Sequence, residues 1–266
     1  MADPTAVLAD LRAEGEVLDA VVASLDDVAW RRSTPAAGWT IAMQIAHLSW
    51  TDEQALHALT DPEGFAAFVQ QGDRPGLVDD TAADGAAEAP ADLLARWRSR
   101  RSDLATLLAA APDGTRVPWF GPPMSVASMA TARLMETWAH GLDVTDALGL
   151  PLSVSPRLKH VAHLGVRTRD FAFGQHGVPA PAEPFRVELT APDGELWAWG
   201  PAYAAQRVTG PGLDFCLRVA QRRHRADLAL TAVGADADRW LDLAQAFAGD
   251  PGAGRRPAAD RSPGAA

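Results

Sequence analysis

The chain has 266 residues, of which 47% are hydrophobic and 22% are charged, so it is long enough to form a buried core in one large or two ordinary domains. Its formal net charge is -10 at pH 7, with a pI near 5.1. Nucleic acids and anionic membranes require a basic protein surface, so this composition argues against both and favours the chemistry of small molecules.

The N-terminal sequence does not have the pattern of a targeting signal. MADPTAVLADLRAEGEV contains no basic segment followed by an apolar run, and no stretch of the chain approaches about 18 uninterrupted apolar residues. We therefore expect a cytoplasmic protein. Arginine and alanine are abundant and lysine is scarce, which is typical of a GC-rich bacterial genome.

Four helices are predicted in the first 150 residues. Apolar residues recur at three- and four-residue spacings over about residues 6–25, 41–59 and 90–110, which indicates amphipathic helices. Thr40 is a suitable N-cap for the second helix, and a fourth helix is expected between Ser125 and Gly149. Connections of this length favour an antiparallel bundle. Within them, FAAFVQQ is expected to form a short helix and DDTAADGAAEAP a solvated acidic segment.

The periodicity changes in the second half of the chain. RLKHVAHLGVRTRDFAF predicts one helix, and FRVELTAPDGELWAWG predicts two strands joined at Asp193 and Gly194. Further strands are predicted in QRVTGP and ADLALTAVG, and further helices in LDFCLRVAQ and DADRWLDLAQAF. The expected organisation is a helical bundle over 1–150, a helical linker over 151–182, a small α+β domain over 183–250 and a disordered tail over 251–266.

The most informative residues lie on the second and fourth predicted helices. Glu136 and His140 are four residues apart, so a helix projects them side by side, about 6 Å apart along its axis. His47, far upstream, would complete a set of two imidazoles and one carboxylate, which leaves a metal position open for water or substrate. The neighbouring positions at helical spacing are also polar: Gln44, Thr51, Gln54, Arg133 and Asp143.

From the residues alone, two interpretations are open. Glu136 and His140 either form half of a metal site or make an ordinary ion pair on a solvated face, with His47 as a hydrogen-bonded core residue. Asp143 suits either an acceptor for a ligand histidine or a surface aspartate. Arg222 belongs to a basic run that is either a solvated turn or a contact to an anionic ligand.

Two segments resemble a known family. VPWFGPPMSVASMATARLMETWAHGLDVTDALG and GWTIAMQIAHLSW are similar to the N-terminal domain of mycothiol-dependent maleylpyruvate isomerases and their DinB-like metal-binding relatives, over about residues 5–150. ALTAVGADADRWLDLAQAF resembles the small domain that accompanies it. The resemblance implies an α+β protein with an N-terminal DinB-like four-helix bundle and a smaller C-terminal sterol-carrier-like α/β domain.

The same resemblance implies a site. A divalent metal, most often zinc, would be bound by His47, Glu136 and His140, and Arg222 would serve as a catalytic residue from the C-terminal domain. The polar residues beside the ligands are expected to bind the cofactor: Gln44, Thr51, Arg133 and Asp143.

The resemblance also implies a reaction. Zinc in such a site accepts the sulfur of a small thiol as its fourth ligand and lowers the thiol pKa. Cys216, the single cysteine, is expected in the core, so the sulfur would come from a cosubstrate such as mycothiol. We expect S-transfer to, or cis-trans isomerisation of, a small electrophile by a monomer or homodimer. A thiol-independent metal-dependent hydrolase or lyase and a non-enzymatic binding protein for an apolar ligand remain alternatives.

Overall fold

The computed structural model describes residues 4–72, 76–249, 251–252 and 254–260. The chain divides into two compact units, and the boundary lies between Leu152 and Ser153. Every helix among the described residues is too short or too polar to cross a bilayer. Of the predicted tail, residues 253 and 261–266 lie outside the described residues.

The first unit consists of seven helices and one small ribbon among the described residues. They are α1 (Thr5–Val22), α2 (Asp27–Trp30), α3 (Ile41–Thr60), α4 (Pro62–Gly72), α5 (Leu77–Ala86), α6 (Pro90–Ala110), β1 (Arg116–Val117), β2 (Met124–Ser125) and α7 (Val126–Leu148). The four longest, α1, α3, α6 and α7, form the bundle, because α1 and α3 each pack against both α6 and α7. This arrangement confirms the predicted helical bundle.

Two apolar clusters fill the bundle. One includes Ile41 and Ile45 of α3 with Val144 of α7, and the other includes Ala55 of α3 with Met129 of α7. Burying a large apolar side chain contributes about 1.5–3 kcal/mol, so these clusters supply much of the stability of the unit. On both α3 and α7 the residues between the clusters include buried polar side chains, which form a polar layer in the bundle.

Local capping positions α3 and α7 as their sequences predict. Thr40 has extended backbone angles, and its hydroxyl accepts a hydrogen bond from the backbone N–H of Met43 at 3.3 Å. The Ser125 hydroxyl likewise accepts from the N–H of Ser128 at 3.2 Å. Gly149 ends α7 with a φ of 67°, a left-handed conformation that favours glycine.

The acidic segment DDTAADGAAEAP is not the solvated connection that its composition indicates. Most of it belongs to α5, which packs against α3. Ala82 is fully buried, and a Cβ on Gly85 would lie 2.9 Å from the Cβ of Ala46, so small residues allow the two helices to approach closely. The prediction was wrong because alanine and glycine add little hydrophobicity to a contact face that depends on their small size.

The second unit combines helices with one sheet. Its elements are α8 (Leu158–Arg167), α9 (Arg169–Gln175), β3 (Phe185–Thr190), β4 (Leu196–Trp199), β5 (Gln206–Pro211), α10 (Gly212–Val219), β6 (Thr231–Val233) and α11 (Ala235–Leu243). The strand order is β4-β3-β5-β6, in which β3 and β5 are parallel and the other pairs are antiparallel. The α+β class expected from the sequence is therefore confirmed, including the hairpin at Asp193 and Gly194.

The first helix of this unit differs in detail from the periodicity. The helix predicted over RLKHVAHLGVRTRDFAF is interrupted at Thr168, whose hydroxyl contacts the carbonyls of Leu164 and Gln245, at 3.1 and 2.8 Å. In the C-terminal segment, a 3-10 turn spans Ala258–Asp260, and the N–H of Ala258 donates to the carboxylate of Asp227.

Candidate metal centre

Helices α3 and α7 bring three metal-type donors together. His47 projects from α3, and Glu136 and His140 project from successive turns of α7. His47 Nε2 lies 3.3 Å from Glu136 Oε2, and His140 Nε2 lies 3.7 Å from the same oxygen. One ligand atom from each residue lies within 4.8 Å of the other two. The solvated ion pair with a separate core histidine is thus not the arrangement that the structure has.

The spacing and chemistry of these donors fit a divalent cation. A tetrahedral zinc with bonds of about 2.0–2.1 Å holds neighbouring donor atoms about 3.4 Å apart. The two separations to Glu136 Oε2, 3.3 and 3.7 Å, lie close to this value. Two imidazoles and one carboxylate are also the ligand set of several catalytic zinc sites, in which the fourth position takes water or substrate.

The carboxylate of Glu136 is maintained in its charged form. Burial would raise its pKa, but the hydrogen bond with His47 and the nearby charge of Arg133 lower the pKa well below its usual value. A charged carboxylate is the form that binds a metal, so the surroundings favour Glu136 as a ligand.

Arg133 lies between two carboxylates beside the centre. Its side chain is only 1% exposed, its Nε donates to Asp52 Oδ1 at 2.9 Å, and its Nη1 lies 3.6 Å from Glu136 Oε2. Burial, opposed by the charge of Arg133, raises the pKa of Asp52. Asp52 and Thr137 also line a cavity of about 180 Å³, which Trp97 helps to enclose. The predicted cofactor-binding role of Arg133 remains a prediction, and its contacts in the structure are to protein carboxylates.

The other polar residues predicted beside the ligands have different surroundings. Gln44 is fully buried, and its Oε1 is hydrogen-bonded to Nδ1 of His140. The Thr51 hydroxyl donates to backbone carbonyls of its own helix, at 2.9 Å to His47 and at 3.1 Å to the next residue. Asp143 is buried on α7, one turn beyond His140. Cofactor binding by Gln44, Thr51 and Asp143 stays a prediction.

Aromatic side chains surround the imidazoles, and the sequence analysis did not place them there. Trp39 packs edge-on against His47, with ring centroids 5.4 Å apart, and stacks on His140 at 6.0 Å. Trp50 lies 6.2 Å from His47 and 6.0 Å from Phe120, which is 38% exposed. The signal for Trp39 was its place next to the capping residue of α3, whereas Asp52 had no local signal because its partner is 81 residues away.

Two residues singled out in the sequence, Arg222 and Cys216, lie in the second unit. Arg222 lies in the turn after α10, and its Nη1 donates to the carbonyl of Ala220 at 2.8 Å. Its catalytic role stays a prediction. Cys216 is fully buried on α10, as expected for a core residue, and its thiol contacts the carbonyl of Leu158 at 3.3 Å. Burial raises the pKa of Cys216, so its sulfur is held as an unreactive thiol.

The fold and the site together define a class: an α+β protein in which a four-helix bundle carries a candidate metal centre of two histidines and one glutamate. A family model described as the mycothiol maleylpyruvate isomerase N-terminal domain matches residues 11–145, and the chain belongs to this family. A second model, described as wyosine base formation, matches residues 181–233. This shorter match covers a small part of the chain.

Two relatives and two solved structures are similar to this chain. Proteins from two strains of Mycobacterium tuberculosis, both named as uncharacterized, are 58% identical over 257 residues, which cover 96% of this chain and 100% of each relative. Crystal structures of the mycothiol-dependent maleylpyruvate isomerase and of a mutant of that enzyme match with a TM-score of 0.60 at 16% and 15% identity. Each match covers 87% of this chain and 93% of the other, and at this identity it shows the shared fold.

Proposed function

We propose that the protein is a metal-dependent enzyme that activates a low-molecular-weight thiol, such as mycothiol, for S-transfer to, or cis-trans isomerisation of, a small electrophile. The observation that carries this proposal is the convergence of His47, Glu136 and His140 within 4.8 Å. A divalent metal of the zinc class, when bound there, supplies Lewis acidity that lowers the pKa of a thiol sulfur or a water. Family membership favours the thiol.

The chain's own residues favour an external thiol. Cys216 is fully buried, and burial raises its pKa, so it is unsuited to act as the nucleophile. A nucleophilic sulfur must then be brought by a cosubstrate. The family to which the chain belongs is named for a mycothiol maleylpyruvate isomerase, and we propose mycothiol or a similar thiol as that cosubstrate.

The charges around the candidate centre favour an anion next to it. Glu136 and Asp52 contribute two negative charges when both are ionised, and Arg133 contributes one positive charge. For these three side chains and a divalent cation, the sum is positive by one unit, and by two units if Asp52 is protonated. In either state, a thiolate reduces a net positive charge in a largely buried site, which stabilises the charged form of the thiol.

The aromatic side chains indicate the kind of electrophile. Trp39 and Trp50 both lie beside His47, and both are partly exposed. Flat, conjugated molecules pack well against indole rings, so we propose an unsaturated carbonyl compound with a planar apolar part as the substrate class. Arg222, through the family resemblance, is proposed to contact an anionic group of the substrate.

Metal content and thiol-dependent turnover test the proposal together. The purified protein, loaded with zinc and freed of excess metal, should retain one zinc per chain and convert unsaturated carbonyl compounds only when mycothiol is supplied. His140→Ala should lose the metal and the turnover, whereas His176→Ala, an exposed histidine in the second unit, should keep both. Cys216→Ala should retain thiol-dependent turnover.

Other outcomes would reject the proposal. Retention of no metal by the wild-type protein would contradict it directly. Equal conversion with and without thiol would instead support the metal-dependent hydrolase or lyase, with Asp52 or Asp143 as the carboxylates to test as general base. A stable complex with an apolar ligand and no turnover would support the binding protein.

A further inference from the structure

The segment that precedes α3 is folded against the candidate metal centre. Ser33 and Thr40 form an isolated antiparallel bridge that closes this segment. Within it, the backbone N–H and the hydroxyl of Thr34 both donate to the carbonyl of Trp39, at 2.8 and 3.0 Å. The side chain of Trp39 packs on the imidazoles of the centre. Trp39 therefore contacts the candidate metal centre through its ring, and its carbonyl is the first member of a hydrogen-bond chain.

The direction of every hydrogen bond in this chain follows from its first member. A carbonyl oxygen only accepts hydrogen bonds, so the Thr34 hydroxyl donates its single hydrogen to the carbonyl of Trp39. Thr34 Oγ1 must then accept from Gln44, whose amide nitrogen lies 2.9 Å away. This contact shows which end of the Gln44 amide is the NH₂ group. The other end, Oε1, is an acceptor and faces the ring of His140.

The last hydrogen bond of this series determines which ring nitrogen of His140 carries the proton. Because Gln44 Oε1 only accepts, Nδ1 of His140 must carry the hydrogen. A neutral imidazole protonated at Nδ1 presents a lone pair at Nε2, the nitrogen that lies 3.7 Å from Glu136 Oε2. The tautomer selected by the hydrogen-bond chain is thus the one that a metal at the donor cluster requires.

We propose that Thr34 and Gln44 are positioning residues that hold His140 in the Nδ1-protonated tautomer, with Nε2 directed at the metal position. This proposal rests on the metal site of the proposed function but not on the identity of the substrate. His47 is held differently: within the described residues its Nδ1 has no hydrogen-bond partner, and Trp39 and Trp50 pack on its ring. The hydrogen-bond chain therefore acts on one of the two histidines.

Zinc affinity, measured by competition with a chromogenic chelator, tests the proposal. Gln44→Met has a similar volume but no acceptor, and it should weaken zinc binding roughly 10–100-fold, as the loss of hydrogen-bond partners of ligand histidines does. Thr34→Val removes the hydroxyl that orients the amide and should weaken binding in the same direction by a smaller factor. Thr34→Ser restores the hydroxyl and should bind as the wild type does. Thr60→Val is the matched control, because the Thr60 hydroxyl donates to the carbonyl of Leu56 at the exposed end of its own helix.

A second measurement reads the tautomer directly. Nitrogen-15 NMR of the metal-free protein, at a pH where His140 is neutral, should show the Nδ1-protonated form in the wild type and a mixture in Thr34→Val and Gln44→Met. Urea unfolding of the metal-free variants shows whether any affinity loss accompanies a loss of fold. If Gln44→Met does not fold, the zinc affinities of Thr34→Val and Thr34→Ser provide the test.

The possible results separate the two proposals. Wild-type zinc affinity in both Thr34→Val and Gln44→Met, or an Nε2-protonated His140 in the wild type, would overturn the positioning role. A wild-type protein that binds no zinc but has Nδ1-protonated His140 would contradict the proposed function and still support the hydrogen-bond chain. Affinity losses in the two variants, with rescue by Thr34→Ser, would support both the site and its positioning residues.

Discussion

Replacement of Arg133 by methionine tests the buried charges beside the candidate centre. The side chain of Arg133 is 1% exposed and that of Asp52 is 8% exposed, so neither charge is well solvated without the other. Removing one partner of a buried ion pair costs about 3–5 kcal/mol, because the remaining charge has no compensation. Arg133 Nη1 also lies 3.6 Å from Glu136 Oε2, so we expect Arg133→Met to lower the free energy of unfolding by an amount in this range.

A second substitution separates loss of charge compensation from loss of packing. Arg133→Met combined with Asp52→Leu removes both charges of the pair, and we expect it to recover about 2–3 kcal/mol of the loss, since an apolar pair of similar volume tolerates burial. Arg31→Met, a substitution of an exposed arginine at the end of α2, should change the free energy of unfolding by less than about 0.5 kcal/mol. Urea unfolding of metal-free protein, followed by far-UV circular dichroism, measures all three variants.

The effect of Arg133→Met should depend on pH in a defined direction. Burial already raises the pKa of Asp52, and the charge of Arg133 is the main influence that opposes this increase. Without Arg133 the folded-state pKa rises further above the unfolded value, so the folded protein binds the proton more tightly. The destabilisation should therefore shrink as pH falls from about 8 to about 5 and grow as pH rises. A double mutant no more stable than the single one, or a pH-independent loss, would refute the reasoning.

The remaining predictions concern the metal ligand His140, the cap of α3 and the ion pairs of the buried Asp19. Metal-free His140→Ala should have the far-UV spectrum of the wild type, and after loading with zinc and removal of excess metal it should contain no zinc, whereas His176→Ala retains the metal; zinc retained by His140→Ala would exclude His140 as a ligand. Thr40→Ala should lower the free energy of unfolding by about 1 kcal/mol through loss of the α3 cap, while Thr106→Ala, in an exposed helix interior, should not. Hydrogen bonds from two arginines lower the pKa of Asp19, so its contribution to stability is present above the unfolded value and is lost as pH falls below it. Asp19→Asn should thus cost about 1–3 kcal/mol near pH 7 and progressively less in acid, and an unchanged cost in acid would contradict this origin.

Local physics made much of the fold predictable. The helices α3 and α7 follow from apolar periodicity, and their starts follow from the hydroxyl caps at Thr40 and Ser125. The hairpin follows from a turn dipeptide between two alternating segments. The helix α5 was missed, because its contact with α3 depends on the close approach that Gly85 permits, which hydrophobicity does not report.

The candidate site was predictable only in its residue types and in one local spacing. The sequence by itself determined that Glu136 and His140 share a helix face, because four residues make about one turn. The approach of His47 to Glu136, across 89 residues, depends on how α3 packs against α7 and was decided by the tertiary structure.

The same distinction holds for the residues that support the site. Sequence spacing placed Gln44 beside His47, and the fold instead bonded it to His140, 96 residues away. The pair of Arg133 with Asp52 arises in the same manner. Helical periodicity determines directions within one helix, whereas the partners of a buried polar group depend on which helix packs opposite. The amino-acid sequence alone therefore determined most of the helices and the donor atoms on them. The packing of the bundle decided which donor atoms meet.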